Sequence, residues 1–135
     1  MQLSFGQHLG KWGFLILRLV VAAIFFYHGL QKLSYWTIVP EETSDTMLFL
    51  FRFLSIAEPI AAATLIIGFW TQIASFGLSL VMVAAIYYKI QIYRLSFSGD
   101  KGGWEFELAL LAACVVLAIH GADDVSLDAR LLSEK

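Results

Sequence analysis

The chain has 135 residues, 59% hydrophobic and only 15% charged, with a mean hydropathy of +0.75, which is too apolar for a water-soluble domain of this size and reads as one transmembrane domain over residues 1–135. A net charge of −2 and a pI near 5.8 leave no basic surface to neutralise phosphates, so nucleic acid is excluded as a partner and the lipid bilayer takes its place. The single cysteine, Cys114, has no second thiol for a disulfide or for exchange chemistry and reads as a small buried apolar residue.

About 20 helical residues cross a hydrocarbon core of about 30 Å, and four apolar runs approach that length. The first covers 12–30, WGFLILRLVVAAIFFYHGL, with Arg18 two turns in and His28 near its end. It is too long for the apolar region of a signal peptide, carries an arginine and lacks a small-x-small cleavage site, so a retained helix is expected. The polar loop PEETSD supplies a turn and acidic residues suited to the start of a second helix over 47–69. That run holds Arg52 and the Glu58-Pro59 pair; the proline lacks an N–H and frees the carbonyl of Ser55, which predicts a bend beside a mid-membrane carboxyl. Gly68 ends it, and the chain turns directly into a third helix over 71–93. The glycines of SFSGDKGG break that helix, Trp104 opens a fourth over 104–120, and GADDVSLDARLLSEK forms a polar tail. The expected fold is therefore all-α, an integral membrane four-helix antiparallel bundle. Ala61, Ala62, Ala63, Gly77, Ala84, Ala85, Ala112 and Ala113 are the small residues expected to admit close helix approach.

Four spans place both termini on one side and the loops 31–46 and 89–103 on the other. The loop side gathers Lys32, Lys89, Arg94 and Lys101, with Arg52 just inside, against Lys11, Arg130 and Lys135 on the terminal side. This near-balance assigns no orientation by the positive-inside rule and is compatible with an antiparallel homodimer.

Function is expected where charge enters these runs: Arg18, His28, Lys32, Arg52, Glu58, Glu105 and Glu107. A charge at membrane depth costs at least about 2.5–3.5 kcal/mol, so such groups pair inside a bundle and mark ligand, ion or proton sites. At about 1.5 Å per residue, Arg18 lies about 9 Å below the terminal side and Glu58 about 16 Å below the loop side, which predicts a buried Arg18–Glu58 ion pair. His28 and Lys32, spaced i and i+4, share a face at the loop-side end, and Arg18, Ala22, Phe25, Gly29 and Lys32 trace a neighbouring stripe. Glu105 and Glu107 enter at the same depth, within reach of Lys32, Arg52 or Lys89; Glu107 by itself reads as a helix N-terminal charge.

The string RLVVAAIFFYHGLQKL, the AEP of the second run, GGWEFELALLAA and the closing SLDA resemble the DoxX family of small four-helix bacterial membrane proteins, most specifically in HGxxKL and GGWE. By position the resemblance carries over Arg18, His28, Gly29, Lys32, Glu58, Gly103 and Glu105, while GADDVSLD departs from a GPGRYSLD-like ending and the acidic loop with Arg52 is atypical. It implies a multi-pass protein of the bacterial cytoplasmic (inner) membrane. It also implies a role like that of the founding members, a small subunit of a thiosulfate:quinone oxidoreductase, accessory rather than catalytic and served by a soluble oxidoreductase partner.

Within that expectation the chain has no redox centre of its own. His28 and His120 fall at opposite ends of their helices, against a bis-histidine haem, and no Cys/His cluster has metal-ligand spacing. A quinone could dock in the bundle, its carbonyls accepting hydrogen bonds from His28 or Lys32, with Glu58 or Glu105 passing protons and Gly29, Arg52, Gly103 and Trp104 supporting the site. The alternatives are a small proton-coupled transporter with Glu58 as the coupling carboxyl, and a structural or assembly subunit whose charges only fix packing.

Overall fold

The computed structural model describes residues 2–100, 102–121 and 123–133, with side chains from Gly10 onward. Lys101 and Lys135, counted above in the charge balance, lie outside the described residues. The described residues are helical with no strand: α1 Gln2–Gln31, a 3-10 helix Lys32–Trp36, α2 Asp45–Ile67, α3 Thr71–Gln91, α4 Glu105–His120 and α5 Leu127–Ser133. Three segments, Gly10–Trp36, Asp45–Ile67 and Thr71–Gln91, are long and apolar enough to cross a membrane. The fourth expected span is shorter. Its 16 residues rise about 24 Å, short of a full hydrocarbon core.

Local chemistry accounts for the boundaries. Ser44 caps α2, its Oγ accepting from Met47 N at 3.3 Å, and Asp45 places a carboxylate in the first turn. At the other end Gly68 takes φ 74, and the N–H groups of Gly68 and Phe69 return to Thr64 O, each at 2.9 Å. Trp70 follows at φ 50, a strained conformation for a bulky residue. The tail holds it there: Asp128 accepts from Trp70 N at 3.0 Å and from Thr71 N at 3.2 Å.

The core is built from one stripe of each long helix: Val21, Ala22 and Phe25; Ala62 and Leu65; Leu78 and Met82; Leu110, Cys114 and Leu117. The i, i+4, i+7 spacing of the α4 set is one helical face. α1 packs closely on α2 and α3 on α4, and α2–α3 and α1–α4 contacts join the two pairs. Of the small residues expected at helix contacts, Ala62 is buried and Ala61, Ala85 and Ala113 pack against the core; Ala63, Gly77 and Ala112 are exposed instead, and Ala84, also exposed, borders a cavity between the helices. α1 and α2 approach closely at Gly29, where a Cβ would overlap the ring of Pro59. Outward faces are apolar, with Phe49, Ile73 and Ile119 well exposed, the surface that lipid contact requires.

Candidate functional site

The buried and half-buried ionisable residues form two clusters, marked on α1 by Arg18 and by His28, 10 residues apart and so about 15 Å apart along its axis. The first is a cavity of about 400 Å³ at the loop-side end. Most of its wall is apolar, including Phe25, Leu54, Met82, Ala85 and Leu110, and His28, Lys32, Glu58, Lys89 and Glu107 reach it together with the phenols Tyr88 and Tyr93.

Two ion pairs organise that polar edge. Lys32, carried round the end of α1 by the 3-10 helix, places Nζ 2.7 Å from Oε2 of Glu58 and 3.5 Å from the carbonyl of His28. Glu58 is 2% exposed, and a carboxylate so far from water depends on its partner. Its approach to Lys32 is permitted by Gly29, which lets α1 lie against the Glu58-Pro59 step. On the other helix pair, Lys89 places Nζ 2.7 Å from Oε1 of Glu107 and donates to Gly103 O at 2.8 Å. His28 stands beside Tyr27 and Phe106, with ring centroids 6.0 and 6.1 Å away. A cavity with apolar walls and a few convergent polar groups has the character of a small-molecule site.

The second cluster closes the opposite end. Arg18 is 2% exposed; its Nη1 lies 3.2 Å from Oδ1 of Asp123 and its Nη2 donates to Val125 O at 2.9 Å. Gly68 packs against the Arg18 guanidinium and Ser126, leaving no room for a Cβ. Lys11 pairs with Asp124, and Phe14 stacks on His120 at 3.5 Å between centroids. Tail residues therefore seal one end, while the cavity occupies the other.

These contacts correct several expectations. Arg18 and Glu58 do not pair: the segment after Gly121 folds back and supplies Asp123 to the arginine, while Lys32 reaches inward from the helix end to Glu58. Glu105 faces outward and accepts from Ser98 Oγ at 2.9 Å, and it is Glu107 that lines the cavity. Arg52 donates to Tyr35 O at 3.1 Å and lies over the Trp36 ring at 5.3 Å. Trp104 packs edge-on against Phe97, with centroids 4.8 Å apart; neither Arg52 nor Trp104 lines the cavity. Gly103 is buried and contributes its carbonyl to Lys89. The signal for Glu107 was its spacing: Glu107, Leu110, Cys114 and Leu117 follow the i, i+3, i+7, i+10 rhythm of the buried face of α4, from which Glu105 is displaced.

Apolar helices long enough to cross a bilayer, wrapped around ion-paired side chains, define a membrane protein with an internal polar site. A model of the DoxX family matches residues 13–90, more than half of the chain, and the protein belongs to that family. No curated protein and no solved structure gives a significant match.

Proposed function

We propose that this DoxX protein is a four-helix antiparallel membrane bundle that holds a quinone as a small subunit of an oxidoreductase complex in the bacterial inner membrane. The observation that carries the reading is the cavity of about 400 Å³, apolar over most of its wall and edged by His28, Lys32 and Glu58. Its dimensions fall within the range of small-molecule pockets. An apolar head and isoprenoid chain suit the walls, and carbonyl oxygens suit the donors.

In this reading Lys32 Nζ, held by Glu58, and an N–H of His28 orient a carbonyl oxygen by hydrogen bonding. Glu58 stands behind Lys32 as the group through which a proton can pass along the wall. A bound quinone supplies electron and proton carriage; the chain supplies binding, orientation and shielding from lipid. Electrons come from a soluble oxidoreductase partner.

The test is organic extraction of the protein purified in mild detergent, followed by mass spectrometry for quinones. Retention near one per chain in the natural protein, lost in Ala85→Trp, which fills the cavity, and reduced in His28→Ala, is the expected result. A folded protein that carries no quinone and takes none up from added decylubiquinone would overturn the reading.

A further inference from the structure

The cavity reaches the outer surface of the bundle between α2 and α3. On α2, Pro59 lies about 100° from Glu58, on the side that packs against Gly29 of α1, whereas Phe53 lies about 140° from Glu58 in the other sense, away from α1. On α3, Lys89 faces Glu107 of α4, and Ala84 lies about 140° from it. The cavity takes Val81, Ala84 and Tyr88 on that flank of α3 and leaves out Ser79 and Val83 on the other. Leu54 and Met82 line the same space and are buried, but Phe53 is 57% and Leu80 55% exposed, and Ala84 is exposed as well. Residues that both line the cavity and meet the exterior mark its mouth, here a slot between the two helices. α2 and α3 pack less closely on each other than α2 does on α1 or α3 on α4.

Phe53 is eight residues inside α2 from Asp45, and Ala84 seven inside α3 from Gln91, about 12 and about 10 Å along helices that cross a core of about 30 Å. The slot therefore opens to acyl chains and not to water. Its flanks are apolar, while the Lys32–Glu58 and Lys89–Glu107 pairs stand toward α1 and α4. The other exposed lining residues, Tyr93 and Phe106, lie at the loop-side rim, beyond α3 and in the first turn of α4.

We propose that the slot between Phe53 of α2 and Leu80 and Ala84 of α3 is the route by which the ligand enters from the bilayer, and the opening through which its chain projects once the head is bound. The ligand class is a membrane-dissolved amphiphile with a long apolar chain. A pocket of about 400 Å³ is of a size to hold a drug-sized molecule, so it takes the head and the first carbons, and a longer chain has to leave it. The slot lets the chain leave into hydrocarbon, whereas the rim would expose it to headgroups and water. This inference rests on the reading that such a molecule occupies the cavity, and adds where it comes from and how it lies.

The experiment uses the full chain in lipid nanodiscs and a decylubiquinone carrying a diazirine midway along its chain. After irradiation, the labelled residues are mapped by mass spectrometry, with excess decylubiquinone as competitor. Competable label centred on Phe53, Leu80 and Ala84 is the expected result. Exchange of bound for isotopically labelled decylubiquinone gives a second readout. Ala84→Trp, which fills the slot, is expected to slow exchange about tenfold. Val83→Trp makes the same addition to the exposed surface of α3 outside the cavity and should keep the natural rate within about twofold. Competable label centred on Tyr93 and Phe106, or on the interior residues Phe25 and Leu110, overturns the proposal and leaves occupancy of the cavity standing, as does equal exchange in the two tryptophan variants. Absence of competable label anywhere overturns the proposal together with the occupancy reading.

Discussion

Lys32 and Glu58 meet across the α1–α2 contact at 2.7 Å, the glutamate side chain 2% exposed and the lysine side chain one-fifth exposed. The asymmetry matters because the lysine side chain is partly exposed and the glutamate is not. Removing the lysine alone leaves a buried charge unpaired, which costs about 3–5 kcal/mol, while replacing both partners by apolar groups is often neutral or better. Lys32→Met is therefore expected to be strongly destabilising, near the lower end of that range because of the lysine's partial exposure. Lys32→Leu combined with Glu58→Leu should recover most of the loss. Thermal unfolding in detergent, followed by circular dichroism, reads both; a double variant as unstable as the single one would contradict this account.

At the sealed end, Asp123 and Asp128 do different work. Asp123 offsets the buried Arg18 charge, whereas Asp128 satisfies the Trp70 and Thr71 N–H groups at the start of α3. Asp123→Ala should cost about 3–5 kcal/mol, the loss expected when a buried ion is left alone. Asp128→Ala should cost about 0.5–2 kcal/mol, as for a lost helix cap. Both variants should raise amide hydrogen exchange in residues 123–133. A tail whose exchange is indifferent to Asp123→Ala would show that the segment is not anchored by Arg18.

Much of this arrangement was legible because periodicity and charge reinforce each other. The stripe Arg18, Ala22, Phe25, Gly29 is buried as its spacing implied, with Lys32 half-buried at its end. Partner choice was harder to read. Depth arithmetic treats helices as parallel rods and gives no account of a segment that folds back, so Asp123, in what read as a solvated tail, took the arginine. Likewise Lys32 counted as a loop charge, although the 3-10 turn after Gln31 lets it point back toward Glu58. Glu105 and Glu107 differ by two positions, about 200° around a helix, so one must face away when the other faces in.

If the cavity binds through His28, the imidazole should matter to ligand and little to folding. Its ring makes aromatic contacts with Tyr27 and Phe106 and no side-chain hydrogen bond among the described residues. His28→Ala should reduce quinone retention about tenfold, the effect of one lost hydrogen bond. His28→Phe, which preserves the aromatic packing, should show the same ligand defect with unchanged thermal stability. Retention equal to that of the natural protein in His28→Phe would remove the histidine from the site.

Gly29 tests whether the polar pair depends on backbone proximity. Glycine inside a helix is worth about 0.5–1 kcal/mol less than alanine, so Gly29→Ala gains that much from propensity alone. Against it, the new Cβ would overlap Cδ and Cγ of Pro59, a rigid ring that cannot rotate aside. Overpacking of this kind costs about 1–3 kcal/mol, so the clash wins and the variant should be destabilised. It should also loosen the Lys32–Glu58 contact by moving α1 away from α2. Gly77 provides the control: it lies within α3 and a Cβ there meets nothing within 4 Å, so Gly77→Ala should stabilise by about 0.5–1 kcal/mol. Opposite shifts in melting temperature for the two substitutions, measured in one detergent, are the expected result. Shifts of the same sign would mean that Gly29 is not packed tightly against Pro59.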